Sequence, residues 1–270
     1  MKRNIFHYCI EEIAPYIDWS YFLHAWGIGQ ANKDTAEELI RDAKKILLEA
    51  EGKYSTYALF ALCEATGNDD NIVIEGTEFP LLRQQHSIVG KANLCLSDFV
   101  SPKGDKIGLF AATVDSRFGN EYSDDDYRNI IARILADRLA EATVSLMHST
   151  VRTKKEFWGY APYEQLTVEE MNHEEYQGIR PAVGYPSLPD QSVIFIIDSI
   201  LQLKDIGIEL TPNGAMFPHS SVCGMMLSHP AAKYFAVGEI NDEQLHDYAC
   251  RRGLSAEEAR KFLSRNIHKS

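Results

Sequence analysis

The chain has 270 residues, 45% hydrophobic and 24% charged, with 27 basic against 39 acidic side chains and a net charge of -12. This is ordinary globular composition, and a chain of this length buries roughly 75% of the surface its unfolded form exposes, enough for a core without disulfide or metal staples. The acidic excess opposes a phosphate backbone, and the apolar runs fall far short of the roughly 20 residues of a spanning helix, so neither a nucleic acid nor a membrane is expected as a partner.

The start, Met1 to His7, is basic but meets Glu11 and Glu12 before any apolar core forms, which predicts a cytoplasmic product rather than a signal peptide. Asp18-Trp19 with Trp26 suggests a short amphipathic segment whose aromatics pack in the core. Asp34-Thr35-Ala36-Glu37 is a capping-box pattern opening a helix through about Glu51, with Gly52 as its stop. Strands are predicted at Asn71 to Glu75, Asn93 to Val100 and Lys106 to Val114, separated by turn residues such as Pro102 to Asp105. One long helical pattern runs from about Ser123 to Trp158, with Tyr127, Ile130, Ile131, Ile134, Leu135 and Leu139 on one broad face. Its basic cluster, Arg152 to Lys155, reads as a solvated face.

Thr167 with Glu170 caps a short helix, and a stiff loop from Arg180 to Pro189 leads to a helix running to about Asp205. Ser221 to Ser228 and Lys233 to Ile240 read as strands. Two terminal helices are capped by Asn241 with Gln244 and by Ser255 with Glu258, and Gly253 separates them. Strands and helices in irregular order predict an α+β fold in one domain over 1–270, with a helical extension over about 1–70 packed on it.

Two features stand out chemically. Glu141 lies eleven positions after Ile130 and seven after Ile134, which places a carboxylate on the apolar stripe of the long helix. It is either a structural partner of Arg138 or a stripe edge reaching water, or an acid facing a ligand. In the Arg180 to Pro189 loop, prolines restrict the backbone while Gly184 permits close approach to the main chain. Arg180 offers a planar fork for a carboxylate, or pairs with Glu174 or Glu175. Tyr234 and Phe235, if in a strand, point to opposite faces, so only one side chain can line a given pocket.

Other signatures fail. Gly27-Ile28-Gly29 is a lone G-x-G without a third glycine, and no G-x-x-x-x-G-K-[ST] or G-x-S-x-G is present. Cys9, Cys63, Cys95, Cys223 and Cys250 have no C-x-x-C spacing and read as reduced thiols. His219 with Cys223 and His246 with Cys250 form no familiar zinc pattern, so no metal is expected.

Taken together, Asp18-Trp19, the segment Leu94 to Lys103, Asp137 to Ala142, Tyr176-Gln177-Gly178-Ile179-Arg180-Pro181-Ala182-Val183-Gly184-Tyr185-Pro186, Ser228-His229-Pro230 and Lys233 to Val237 resemble the C-terminal activation domain of cobalamin-dependent methionine synthase. The match spans nearly the whole chain in order. The resemblance implies a C-shaped α+β domain around a twisted antiparallel sheet that binds S-adenosylmethionine. Its methyl group would rescue cobalamin oxidised to the inactive cobalt(II) state, with an electron from flavodoxin or a similar reductant.

The resemblance further implies Asp18 at the ligand's amino group, Arg180 at its carboxylate, and backbone groups of Ala182 and Gly184 with Tyr185 along the rest. Tyr234 and Phe235 would close the site, and Glu141 and Glu174 fall at acidic positions beside it. The family commonly has two tyrosines where this chain has Tyr234-Phe235. No Asp here is followed two places later by His, so the D-x-H-x-x-G cobalt ligand of the full enzyme is missing. The chain therefore reads as the reactivation component of a split methionine synthase, a methyltransferase component that acts on cobalamin in trans. The alternative is a non-catalytic S-adenosylmethionine-binding or docking protein for another corrinoid protein.

Overall fold

The structure, a computed structural model, describes residues 1–27, 33–85, 90 and 92–267. Ile28 and Gly29 of the lone G-x-G lie outside the described residues. β1 (Lys2–Cys9) is followed by α1 (Ile10–Ile13), α2 (Trp19–Ala25) and α3 (Lys33–Ala50). Helix α3 buries Leu39, Ala43, Ile46, Leu47 and Ala50, the spacing of one helical face. It begins before Asp34, which sits in its first turn rather than capping it, and Gly52 follows it with a φ of 68°.

β2 (Ser55–Asn68), β3 (Asn71–Ile74), β4 (Thr77–Pro80) and β5 (Asp105–Val114) come next, then α4 (Asp126–Thr153), α5 (Val168–Asn172) and α6 (Ile194–Leu201). A two-stranded ribbon of β6 (Glu209–Leu210) and β7 (Met216–Phe217) precedes β8 (Ser221–Leu227), and α7 (Asp242–Arg252) and α8 (Ala256–Phe262) end the order. The main sheet is antiparallel in the order β4-β3-β2-β5-β8, and β1 pairs with the first part of β2.

The period of two along the strands sorts the core into two layers. Ala58, Phe60, Phe110, Ala112, Val222 and Met226 pack with α3 and α4, while Leu59, Ala61, Leu109, Ala111, Cys223 and Met225 pack with α6. A sheet covered on both faces needs apolar residues at every position, which is why β2 reads Tyr57 to Cys63 without a polar residue. Two strands, β1 and β2, thus fall within 1–70, where the sequence predicts a helical extension. Alternation, the signal of a half-buried strand, is absent from β2, and in β1 it is obscured by Lys2, Arg3 and His7.

Helix α4 is capped by Asp125, whose carboxylate accepts the Arg128 N–H at 3.1 Å. It is rotated from the predicted face: Ile131, Leu135 and Leu139 are buried, whereas Tyr127 and Ile130 are 45% and 49% exposed. Its C-terminal half is enclosed more fully, so Arg152, read as solvated, is 1% exposed and pairs with Glu164 at 2.6 Å. The caps at Thr167 with Glu170, Asn241 with Gln244 and Ser255 with Glu258 all form.

Three other segments depart from expectation. Asn93 to Val100 holds a 3-10 turn at Leu96–Phe99, because the Asp98 carboxylate accepts the Cys95 N–H and binds Arg83. The helix after the stiff loop stops at Leu201, where Gln202 turns left-handed with a φ of 59°. Lys233 to Ile240 is not a strand: Phe235 and Val237 donate their N–H groups to Ser187 Oγ and the Pro186 carbonyl at 3.2 and 2.9 Å instead. All five cysteines are free, and no helix among the described residues is long and apolar enough to cross a membrane.

Candidate functional site

The stiff loop extends the sheet beyond β8. Ile179 and Ala182 bridge Leu227 and Gly224 in antiparallel sense. The Val183 N–H donates to the Cys223 carbonyl at 2.9 Å and the Met225 N–H to the Pro181 carbonyl at 3.0 Å. Ala182 therefore turns its own N–H away from β8. The chain then folds sharply: the Tyr185 N–H donates to the Ala182 carbonyl at 3.2 Å and the Gly184 N–H to the Leu188 carbonyl at 2.9 Å. Gly184 has a φ of 85°, a left-handed conformation that a side chain would strain, which is why glycine suits the turn.

A cleft of about 620 Å³ opens between this loop, the face of α4 carrying Arg138, Glu141, Ala142 and Ser145, and the start of α2. Asp18, Glu141, Glu174, Arg180, Ala182, Tyr185, Tyr234 and Phe235 all line it. Gly184 does not: its amide is held by Leu188, and its part is to shape the turn. Tyr234 and Phe235 line the cleft together because the chain there is irregular rather than pleated. The Ser187 hydroxyl clamps this segment by donating to the Phe235 carbonyl.

Each charged group has a defined setting. Asp18 is the N-cap of α2 and accepts the Ser20 N–H on Oδ1 at 2.9 Å, which leaves Oδ2 without a hydrogen bond among the described residues. Glu141 Oε1 accepts from the Tyr185 hydroxyl at 2.8 Å, and the charge of Glu141, followed by burial, pushes the Tyr185 phenol well above its ordinary pKa. Arg138 instead lies 5.9 Å from the ring of Tyr21. Glu174 has a left-handed φ of 60° just beyond α5, and burial raises its carboxyl pKa against the opposing pull of Arg180.

The Arg180 Nη2 donates to Ser145 Oγ at 2.9 Å rather than to Glu174 or Glu175, and the ring of Tyr176 lies 5.8 Å from its Cζ. Its backbone N–H donates to the Tyr234 hydroxyl at 2.9 Å. The fork is thus held in place while much of its donor capacity stays open. Burial pushes the Tyr234 phenol far above its usual range, so it remains protonated.

Sequence reasoning missed Tyr16, Tyr21, Arg138, Ala142, Ser145, Met171 and Ser187 as lining residues. Arg138 and Ser145 stand three before and four after Glu141, so the helical neighbours of a suspected site acid were the available signal. Among the described residues no group of three or more His, Cys, Asp or Glu could hold a metal ion. His219 precedes β8, Cys223 is buried within it, and Cys250 is exposed on α7.

The comparisons with known proteins bear on the family and the fold. The family described as vitamin B12 dependent methionine synthase, activation domain, matches residues 9–253. A solved structure described as the MetH reactivation domain bound to AdoHcy is similar with a TM-score of 0.93 and 35% identity, covering 100% of this chain and 91% of that one. With the family model matched over most of its length and the fold shared with that structure, the chain belongs to the family of vitamin B12 dependent methionine synthase activation domains.

Proposed function

We propose that the cleft binds S-adenosylmethionine and that the chain presents its methyl group to cobalamin carried on a separate protein, the cobalamin-binding modules of a methionine synthase. This is the reactivation step for cobalamin oxidised to the cobalt(II) state, and it needs an electron from a flavodoxin-like reductant. The observation that carries the reading is the charge layout of the cleft: the guanidinium of Arg180, held by Ser145, and that of Arg138, beside the Tyr21 ring, share a single cavity with the carboxylates of Asp18, Glu141 and Glu174. The ligand has the complementary set, one carboxylate against an ammonium and a sulfonium. A volume of about 620 Å³ also suits a ligand of nucleoside size.

Bound S-adenosylmethionine supplies an electrophilic methyl group on sulfur. The residues of the chain bind and orient it. Arg180 receives the carboxylate through charge-assisted hydrogen bonds. Asp18, with Oδ2 unused by Ser20, would receive the ammonium, and Glu174 and Glu141 would add negative potential around the cationic part. The outward N–H of Ala182 is available to the ligand, and Tyr185, 51% exposed, stands at the mouth with Tyr21, 61% exposed. An open mouth suits a methyl group whose acceptor must approach to about 3 to 3.5 Å. In this reading the acceptor is brought by another module.

The binding half is tested with Asp18→Asn. Asn caps a helix as well as Asp does, so α2 should remain folded while the charge facing the amine is lost. Calorimetric titration is expected to show roughly tenfold weaker binding of S-adenosylmethionine, the effect of one charge-assisted contact. An analogue lacking the amino group should lose much less. Equal losses for both ligands would place Asp18 outside the amine contact.

A further inference from the structure

We infer that Tyr176, which does not line the cleft, is the positioning residue that fixes Arg180 before ligand arrives; this rests on the reading that Arg180 receives a ligand carboxylate. Tyr176 is 7% exposed and lies four residues before Arg180. Its ring has two guanidinium groups beside it: the Cζ of Arg152 is 4.7 Å from the centroid and that of Arg180 5.8 Å. Both lie within cation–π range.

The two cations are not equivalent. Arg152 is neutralised by Glu164 at 2.6 Å, and the other oxygen of Glu164 accepts the Gln177 N–H at 3.0 Å. That bond pins the backbone next to Tyr176, so the ring is anchored from the Arg152 side. Arg180 has no carboxylate partner among its hydrogen bonds and is held by Ser145 and the ring face. The anchored pair thus serves as the wall against which the free guanidinium rests.

The Tyr176 hydroxyl acts on the main chain of the same residue. It lies 3.0 Å from the Tyr234 hydroxyl, which in turn accepts the Arg180 N–H at 2.9 Å. One tyrosine therefore grips Arg180 at both ends, through its π face and through a two-hydroxyl relay. A third neighbour, His148, meets the ring edge-on at 4.8 Å and 86°. It is fully buried with Nε2 3.0 Å from the Tyr160 hydroxyl and Nδ1 unpartnered. Burial and the nearby Arg152 and Arg180 push its pKa well below the ordinary histidine value, so it adds no third positive charge to the cluster.

The test compares binding of S-adenosylmethionine and of its decarboxylated analogue, which offers Arg180 nothing to bind. Tyr176→Phe keeps the ring and removes the relay; Tyr176→Leu removes both. Calorimetry should show S-adenosylmethionine affinity falling about fivefold in the Phe variant, the effect of one hydrogen bond, and about twentyfold or more in the Leu variant, with the cation–π contact added. Affinity for the decarboxylated analogue should not change in the Phe variant, and Tyr176→Phe should cause no further loss in an Arg180→Ala background. Equal losses for both ligands, or losses that multiply with Arg180→Ala, would overturn the positioning role and leave Tyr176 as general packing. The Phe variant keeps the buried ring, so it decides the matter even if the Leu variant unfolds. Should Arg180→Ala alone retain full affinity, the carboxylate reading itself fails, an outcome distinct from failure of the coupling.

Discussion

Arg180→Ala is expected to weaken S-adenosylmethionine binding by about 2 to 4 kcal/mol, because the ligand carboxylate is left desolvated without its charge-assisted fork. This corresponds to roughly 30- to 1000-fold in dissociation constant. Loss of Ser145 as a partner adds nothing, since a hydroxyl at the cleft can bind water instead. Arg180→Lys should recover only part, because an ammonium presents a point charge where the site presents a planar fork against Tyr176. Calorimetric titration of both variants measures this, and wild-type affinity in the Ala variant would remove Arg180 from the site.

The second large effect is expected from Gly224→Ala, at a position in β8 that does not line the cleft. A Cβ at Gly224 would lie 2.3 Å from the Pro181 carbonyl oxygen and 2.8 Å from the Ala182 Cα. Both are backbone atoms, so no flexible side chain can yield, and the loop must move off the sheet edge. The bridge between Ala182 and Gly224 and the flanking bonds from Val183 and Met225 depend on that contact. Stability should fall by about 1 to 3 kcal/mol, the range for overpacking a tight contact. Ligand affinity should fall more than tenfold, because displacing the loop moves both Arg180 and the outward amide of Ala182; misplacement of about 1 Å is enough to be felt. Gly119→Ala is the control, since its Cβ would meet nothing nearer than 3.9 Å. Denaturant unfolding with calorimetry reads both quantities, and an unchanged pair of values in Gly224→Ala would show that the loop is not seated as described.

Part of this candidate site was legible from side-chain chemistry, and the remaining positions, Asp18 and Tyr185 among them, came only through the family resemblance. Glu141 was conspicuous as a carboxylate on a helical stripe, and the prolines and Gly184 marked a rigid loop beside Arg180. What could not be read was the third dimension of the contacts. Gly224 looks like any glycine in a strand until Pro181 is seen against it. Tyr176 looks like core, which it is, while its hydroxyl and ring face reach Arg180 through partners distant in sequence, Tyr234 above all. Gly184 is ambiguous in a sequence for a physical reason: freedom to approach a ligand and freedom to turn have the same signature, and here its positive φ serves the turn.

The fold divided along similar lines. Caps at Thr167, Asn241 and Ser255 were readable because an N-cap is local, with both partners within three residues. Strand β2 was not, because burial on both faces removes the alternation by which a strand is recognised. Lys233 to Ile240 carried strand-like residues, but the Ser187 hydroxyl and Pro186 carbonyl captured its N–H groups. Arg152 was misjudged because its partner Glu164 lies beyond the end of α4, so the chain near it gives no sign that the charge is matched.

The central claim is that this chain donates a methyl group to cobalamin held on another protein. It is tested most directly by mixing the purified chain and S-adenosylmethionine with a cobalamin module in the cobalt(II) state and a low-potential electron donor, and following methylcobalamin by its absorbance. The account predicts methylcobalamin only when chain, ligand, module and donor are all present, with the rate collapsing for Arg180→Ala at subsaturating ligand. Methylation that proceeds without the chain, or none with the cobalamin module and donor present while the chain is saturated with S-adenosylmethionine, would contradict it.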